Sequence, residues 1–99
     1  MDERTRLRVG FMLRLLQNGE SIPMPHSKPM PQIDSRCHEL RVKERDTAWR
    51  VIYSLEPEAV VVLATFKKMN QTTPERIKRQ AMTGLKRWRT RRSPGEQTS

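Results

Sequence analysis

The segment from Ile22 to Pro31, IPMPHSKPMP, places four prolines in ten residues. Each proline fixes φ and lacks an N–H, so neither a helix nor a central strand runs through this stretch. It divides the chain into a short leading part and a longer trailing part. Ile22, Met24 and Met30 make it too apolar for a free linker. It reads as an extended connector that crosses the domain.

Ahead of the connector, residues 3–18 predict an amphipathic helix. Leu7, Phe11 and Leu15 recur at a spacing of four, and Met12 and Leu16 widen the same stripe. Gly19 suits the left-handed residue that stops a helix. Gly10 in the interior weakens it by about 1 kcal/mol relative to alanine. Behind the connector, three strands are predicted. In CHELRVK (37–43), Leu40 and Val42 point inward and Glu39, Arg41 and Lys43 outward. In TAWRVIYSL (47–55), Trp49, Val51, Tyr53 and Leu55 share one face and Arg50 lies on the other. AVVVLATF (59–66) follows the turn around Pro57. Its unbroken apolar run is what a central strand buried on both faces looks like.

A second helix is expected from Thr73 as N-cap, Pro74 at its first position and Glu75 in its first turn. Ile77, Ala81, Leu85 and Trp88 form its apolar stripe. The fold class is therefore α+β: a small antiparallel sheet of about three strands with an N-terminal and a C-terminal helix packed on it. Residues 1–92 form one domain, and residues 93–99 are expected to be a disordered tail.

The pleat has period two, so Leu40 and Val42 share a face with Trp49 and Val51 only if facing residues sum to an odd number. A four-residue loop centred on Arg45 and Asp46 sets that sum at 91. Val42 then faces Trp49, Leu40 faces Val51, and Arg41 faces Arg50. Like charges directly opposed across strands are destabilising. Two guanidinium forks side by side make sense when they share an anion such as a phosphate. Lys67 and Lys68 leave the third strand nearby.

The charge agrees. Twenty Lys and Arg against 11 Asp and Glu give +9, with a sequence pI near 10.8, the electrostatic footprint of a nucleic-acid binder. No apolar stretch approaches the length of a membrane span. One cysteine, Cys37, precludes an intrachain disulfide and fits a reducing cytoplasm. Cys37 with His38 supplies too few ligands for zinc, so neither metal nor cofactor is expected. His26 and His38 are weak candidates for acid–base work, while Tyr53, Trp49 and Trp88 are expected in the core.

The pattern HELRV, AWRVIYSL, VVVLATFKKMNQTTPERIKRQAMTGLKRW, with PHSKPM ahead of it, resembles the phage-derived RelE/HigB-like toxins of type II toxin–antitoxin systems. The resemblance covers roughly residues 7–90. It implies a toxin that inhibits translation by metal-independent cleavage of mRNA, in the ribosomal A site, until a helix-turn-helix antitoxin covers it. Carried over by position, the catalytic set is Arg41, Arg50, Lys67 and Lys68. RNA contacts are expected from Lys28, Lys43, Arg76, Arg79, Lys86 and Arg87. Family members carry a further strand and helix ahead of residues 3–18, so the chain reads as an N-terminally shortened form. Two other readings stay open: a non-catalytic basic RNA- or ribosome-binding protein, and an inactive prophage remnant that still binds an antitoxin.

Overall fold

A computed structural model of the chain describes residues 1–69 and 72–92. In chain order its elements are α1 (Glu3–Gln17), β1 (Ser27–Pro29), β2 (Cys37–Glu44), β3 (Thr47–Leu55), β4 (Val60–Lys67) and α2 (Glu75–Arg92). The tail 93–99 lies outside the described residues.

Helix α1 has a defined start and stop. The Asp2 carboxylate accepts from the Thr5 N–H at 2.8 Å, which satisfies one of the orphan donors of the first turn. At the other end Gly19 takes φ +88°. The Glu20 N–H reaches back to Leu15 O and the Gly19 N–H to Leu16 O, both at 3.0 Å. This is the paired closure for which a left-handed glycine is favoured.

The fold is α+β, with a four-stranded antiparallel sheet in the order β1-β2-β3-β4. The fourth strand lies inside the proline-rich connector. Ser27, Lys28 and Pro29 pair with Leu40, Glu39 and His38, and the strand sits at the sheet edge, where a missing proline donor faces no partner. The β2–β3 register is the expected one: Arg41 faces Arg50, Val42 faces Trp49 and Leu40 faces Val51. Arg45 turns the corner with φ +53°.

Strand β4 departs from expectation. It lies at the other edge of the sheet, and Val62 is 46% exposed. The strand buried on both faces is β3, where Val51, Ile52 and Tyr53 are each at most 1% exposed. The reason is a bulge. Ile52 pairs with Ala64 but Tyr53 pairs with Val62, so Leu63 is an extra residue. Leu63 and Ala64 consequently both serve the α2 side, while Val60 serves the α1 side. An uninterrupted apolar run can thus arise from a switch of face along one edge strand.

The two helices cover opposite faces of the sheet. Val9 and Leu16 of α1 pack on Leu40, Val42, Val51 and Tyr53. Ile77 and Ala81 of α2 pack on Ile52 and Ala64, and Leu85 packs on Met30 and Cys37. The stripe expected for α2 is confirmed at Ile77, Ala81 and Leu85, with Trp88 half-buried. The stripe expected for α1 holds only in part: Leu16 is buried and Met12 packs against the same core. Thr5, Val9 and Leu16 are its buried residues, and Leu7 and Phe11 are 70% and 64% exposed.

Candidate functional site

Helix α2 covers only part of its face of the sheet. Beyond Ile52 and Ala64, the same face carries Glu39, Arg41, Arg50 and Phe66, which the register places on neighbouring strands. These side chains line a small pocket of about 130 Å³ together with Lys28, Lys68, Thr72, Thr73 and Lys78. Lys28 arrives because β1 pairs it with Glu39. Lys68 follows the last residue of β4, and its N–H donates to Ala48 O at 2.7 Å, which fixes the exit of the chain. Lys78 comes from the first turn of α2 and lies 3.4 Å from Glu75.

Glu39 organises this ring of cations. It is 5% exposed, and its Oε1 lies 3.4 Å from Arg50 Nε and 3.7 Å from Arg41 Nε. Its Oε2 accepts from the Thr73 hydroxyl at 2.9 Å. The two guanidinium groups therefore do share an anion, and an internal carboxylate is part of the answer. Among the described residues, five cationic side chains line the pocket with that one carboxylate, and Arg41 Nε is buried without a hydrogen bond. Arg50 is 8% exposed. Burial pulls its pKa down, Glu39 opposes this, and Arg41 adds to it. The guanidinium nevertheless remains a cation at neutral pH. Its Nη1 donates to Trp49 O at 3.1 Å, so its plane is fixed against the strand.

Chemically, the pocket suits a phosphodiester. It combines guanidinium forks that bind phosphate oxygens, ammonium groups placed to neutralise charge, and a carboxylate that holds one of the forks in place.

Of the residues predicted for catalysis, Arg41, Arg50 and Lys68 meet here and Lys67 does not. Lys67 pairs with Trp49 and therefore points to the α1 face, where its Nζ lies 5.6 Å from the Trp49 ring centroid. Successive residues at the end of a pleated strand diverge, so two adjacent lysines serve opposite sides. Among the predicted RNA contacts, Lys28 lines the pocket. Lys43 is exposed at a neighbouring groove, and Arg76, Arg79, Lys86 and Arg87 lie on the exposed side of α2.

Sequence reasoning missed Glu39, Thr73 and Lys78 as site residues. Strand alternation places Glu39 outward, as a solvated residue. The alternation is right, but that face is covered by α2 and the loop before it. Thr73 was expected to cap α2. Instead the first intrahelical acceptor is Pro74 O, which receives the Lys78 N–H at 3.1 Å, and the Thr73 hydroxyl goes to Glu39. Glu39 and Arg41 at i and i+2 of one strand were the available signal.

The other candidates fall away from the pocket. His38 stacks on Tyr53 with ring centroids 5.5 Å apart, and Tyr53 shares a 2.6 Å hydrogen bond with Ser27 in the core. His26 lies at the groove that also holds Lys43. Burial pushes the Cys37 thiol up, which disfavours the reactive thiolate. Among the described residues, no group of three or more His, Cys, Asp or Glu comes together in a way that could hold a metal ion. No helix among them is long and apolar enough to cross a membrane.

The family model described as Phage derived protein Gp49-like (DUF891) matches residues 1–86. The chain belongs to this family. The matched span takes in both faces of the sheet and every described side chain of the pocket. No match was found among curated proteins, and none among solved structures.

Proposed function

We propose that this Gp49-like protein is the toxin component of a type II toxin–antitoxin system and inhibits translation by cleaving RNA, with mRNA on the ribosome as its substrate and a helix-turn-helix protein as its antitoxin. The Gp49-like family is associated with RelE-like toxin–antitoxin systems, which supports the reading. The observation that carries it is the ring of Lys28, Arg41, Arg50, Lys68 and Lys78 around one polar pocket.

In this mechanism the RNA 2′-hydroxyl attacks the adjacent phosphorus and the 5′-oxygen of the next nucleotide leaves. The protein has to align that attack, neutralise the additional negative charge on the phosphorane and move two protons. Arg50, held by Glu39 and Trp49 O, offers the phosphate a fixed donor fork, and Arg41 approaches from the facing strand. Lys28 and Lys68 approach from the two flanking strands and neutralise the backbone on either side. Lys68 gives a proton to the departing oxygen.

The test compares transcripts on translating ribosomes after induction of wild type, Lys68→Gln and Arg50→Ala. The expected result is growth arrest and truncated mRNA with wild type, and a loss of cleavage of at least about a hundredfold in each variant. Full cleavage by Arg50→Ala with weaker, salt-sensitive RNA binding would remove Arg50 from the chemistry. A second reading, RNA binding without cleavage, draws on Glu39, because an internal counter-ion gives the Arg41–Arg50 pair a structural reason to exist. It is favoured if wild type binds RNA with a strong salt dependence and leaves it intact.

A further inference from the structure

Helix α1 carries two apolar stripes and the fold uses one. Thr5, Val9 and Leu16 are buried against the sheet. Leu7 and Phe11, one turn apart, stand 70% and 64% exposed on another side of the helix. They do not project from a convex surface. With Met12, Val42 and Ala48 they line a groove of about 1110 Å³ between α1 and the β2–β3 strands. The groove is rimmed by Arg4, Arg8 and Lys43, with Glu3 the one carboxylate along it among the described residues. Arg8 is held in that position by donating to the Lys43 carbonyl oxygen. Arg41 and Arg50 border this groove as well as the cation pocket, so the two concavities adjoin.

We infer that this groove is a docking site for an amphipathic helix of a partner polypeptide, with apolar side chains at helical spacing on one face and carboxylates along its edges. The apolar floor matches the side chains that such a helix inserts at i, i+3 and i+4. The cationic rim matches its acidic flanks and disfavours basic ones. A second copy of this chain fits poorly, because a two-fold contact through the groove would bring Arg4 and Arg8 against their own counterparts on a protein of net charge +9. A lipid surface meets convex amphipathic helices, and here the apolar residues lie in a concavity. Single-stranded RNA would satisfy the rim and leave Leu7 without a match. Because Arg41 and Arg50 are shared, an occupant of the groove stands beside the phosphate site and restricts access to it. The inference rests on the proposed function only in this last respect.

The experiment uses the full chain and two fluorescent helical peptides with the same leucine stripe, one flanked by glutamates and one by lysines. Anisotropy should give micromolar affinity for the glutamate peptide and binding of the lysine peptide at least about tenfold weaker. Leu7→Ser combined with Phe11→Ser, both at exposed positions, should weaken the glutamate peptide at least about tenfold while leaving the unfolding transition in place. Arg4→Glu should narrow the preference between the two peptides. No binding of the glutamate peptide, equal binding of both, or indifference to the double substitution would overturn the inference. So would a double substitution that instead abolishes self-association, binding to phosphatidylserine vesicles or binding to oligouridylate. None of these readouts needs nuclease activity. A chain that binds the peptide and cuts no RNA sinks the proposed cleavage alone, and one that cuts RNA without binding the peptide sinks the docking site alone.

Discussion

The two helices lie on opposite faces of one sheet and are held there by different means. Helix α2 buries a full stripe, Ile77, Ala81 and Leu85, each at most 4% exposed. It is also pinned at both ends by polar ties. Thr73, just ahead of it, bonds to Glu39, and Arg89 near its end donates to Asp34 and Glu56 at 2.9–3.1 Å. Helix α1 has a capped start and a closed end, but its buried face includes Thr5, and its two most exposed large apolar side chains are Leu7 and Phe11. A helix that spends its apolar residues on its own core is a structural element. One that keeps a leucine and a phenylalanine in solvent has surface left for something else.

Substitutions should separate these roles. The largest effect is expected from Leu85→Ala, which removes a 3% exposed side chain from beneath α2. Urea unfolding should show a loss of about 3 kcal/mol, whereas Leu7→Ala on α1 should change stability by less than about 0.5 kcal/mol. Equal losses would mean that the Leu7 side of α1 belongs to the core just as the Leu85 side of α2 does. Glu39→Ala comes next, because it leaves Arg50 without its carboxylate. A loss of about 2 kcal/mol is expected, below that for a fully buried broken pair because the pocket opens to water.

The Arg89 clip should matter less, and in a pH-dependent way. Arg89 holds the Asp34 and Glu56 carboxyls below their ordinary values of 3.8 and 4.5, chiefly through its hydrogen bonds to them. A depressed folded-state pKa stabilises above the unfolded value, and that contribution is lost as pH falls through the folded one. Arg89→Ala should therefore cost about 1 kcal/mol at neutral pH, since the guanidinium is 40% exposed. As pH falls through these depressed values the gap between variant and wild type should close. A gap that persists in acid would assign Arg89 to packing instead of charge. The smallest expected change has the opposite sign. A methyl group added at Gly10 would meet, among the described residues, no atom within 4 Å beyond its chain neighbours and its own helix backbone, so Gly10→Ala should raise stability by about 0.5–1 kcal/mol through helix propensity. No gain would indicate that α1 is held by contacts made at its ends.

Much of the fold is legible in the sequence. The hairpin register follows from parity together with a turn centred on Arg45 and Asp46, and it put Arg41 opposite Arg50 correctly. Gly19 closes α1 where expected, and the α2 stripe was read residue by residue. The misreadings share a cause. The face of α1 that is buried, the edge position of β4 and the separation of Lys67 from Lys68 each depend on which surface a neighbouring element covers. The expected stripe of α1 took in Met12 and Leu16, which do face the core, together with Leu7 and Phe11, which do not, and only the docking angle on the sheet decides which part of it is covered. Half the site was legible for the same reason: cations announce themselves by type, whereas a buried Glu39 looks like any solvated carboxylate.

By itself the sequence determined the local quantities: where helices begin and end, the parity of the hairpin and a charge of +9. These depend on dihedral preferences, periodicity and composition, which act within a few residues. Tertiary structure decided which side of each element meets water. It placed a carboxylate among five cations, sent two adjacent lysines to opposite faces, and left an apolar stripe of α1 open. Those outcomes depend on contacts between residues remote in the chain, and a pattern along one strand or helix does not encode what lies across from it.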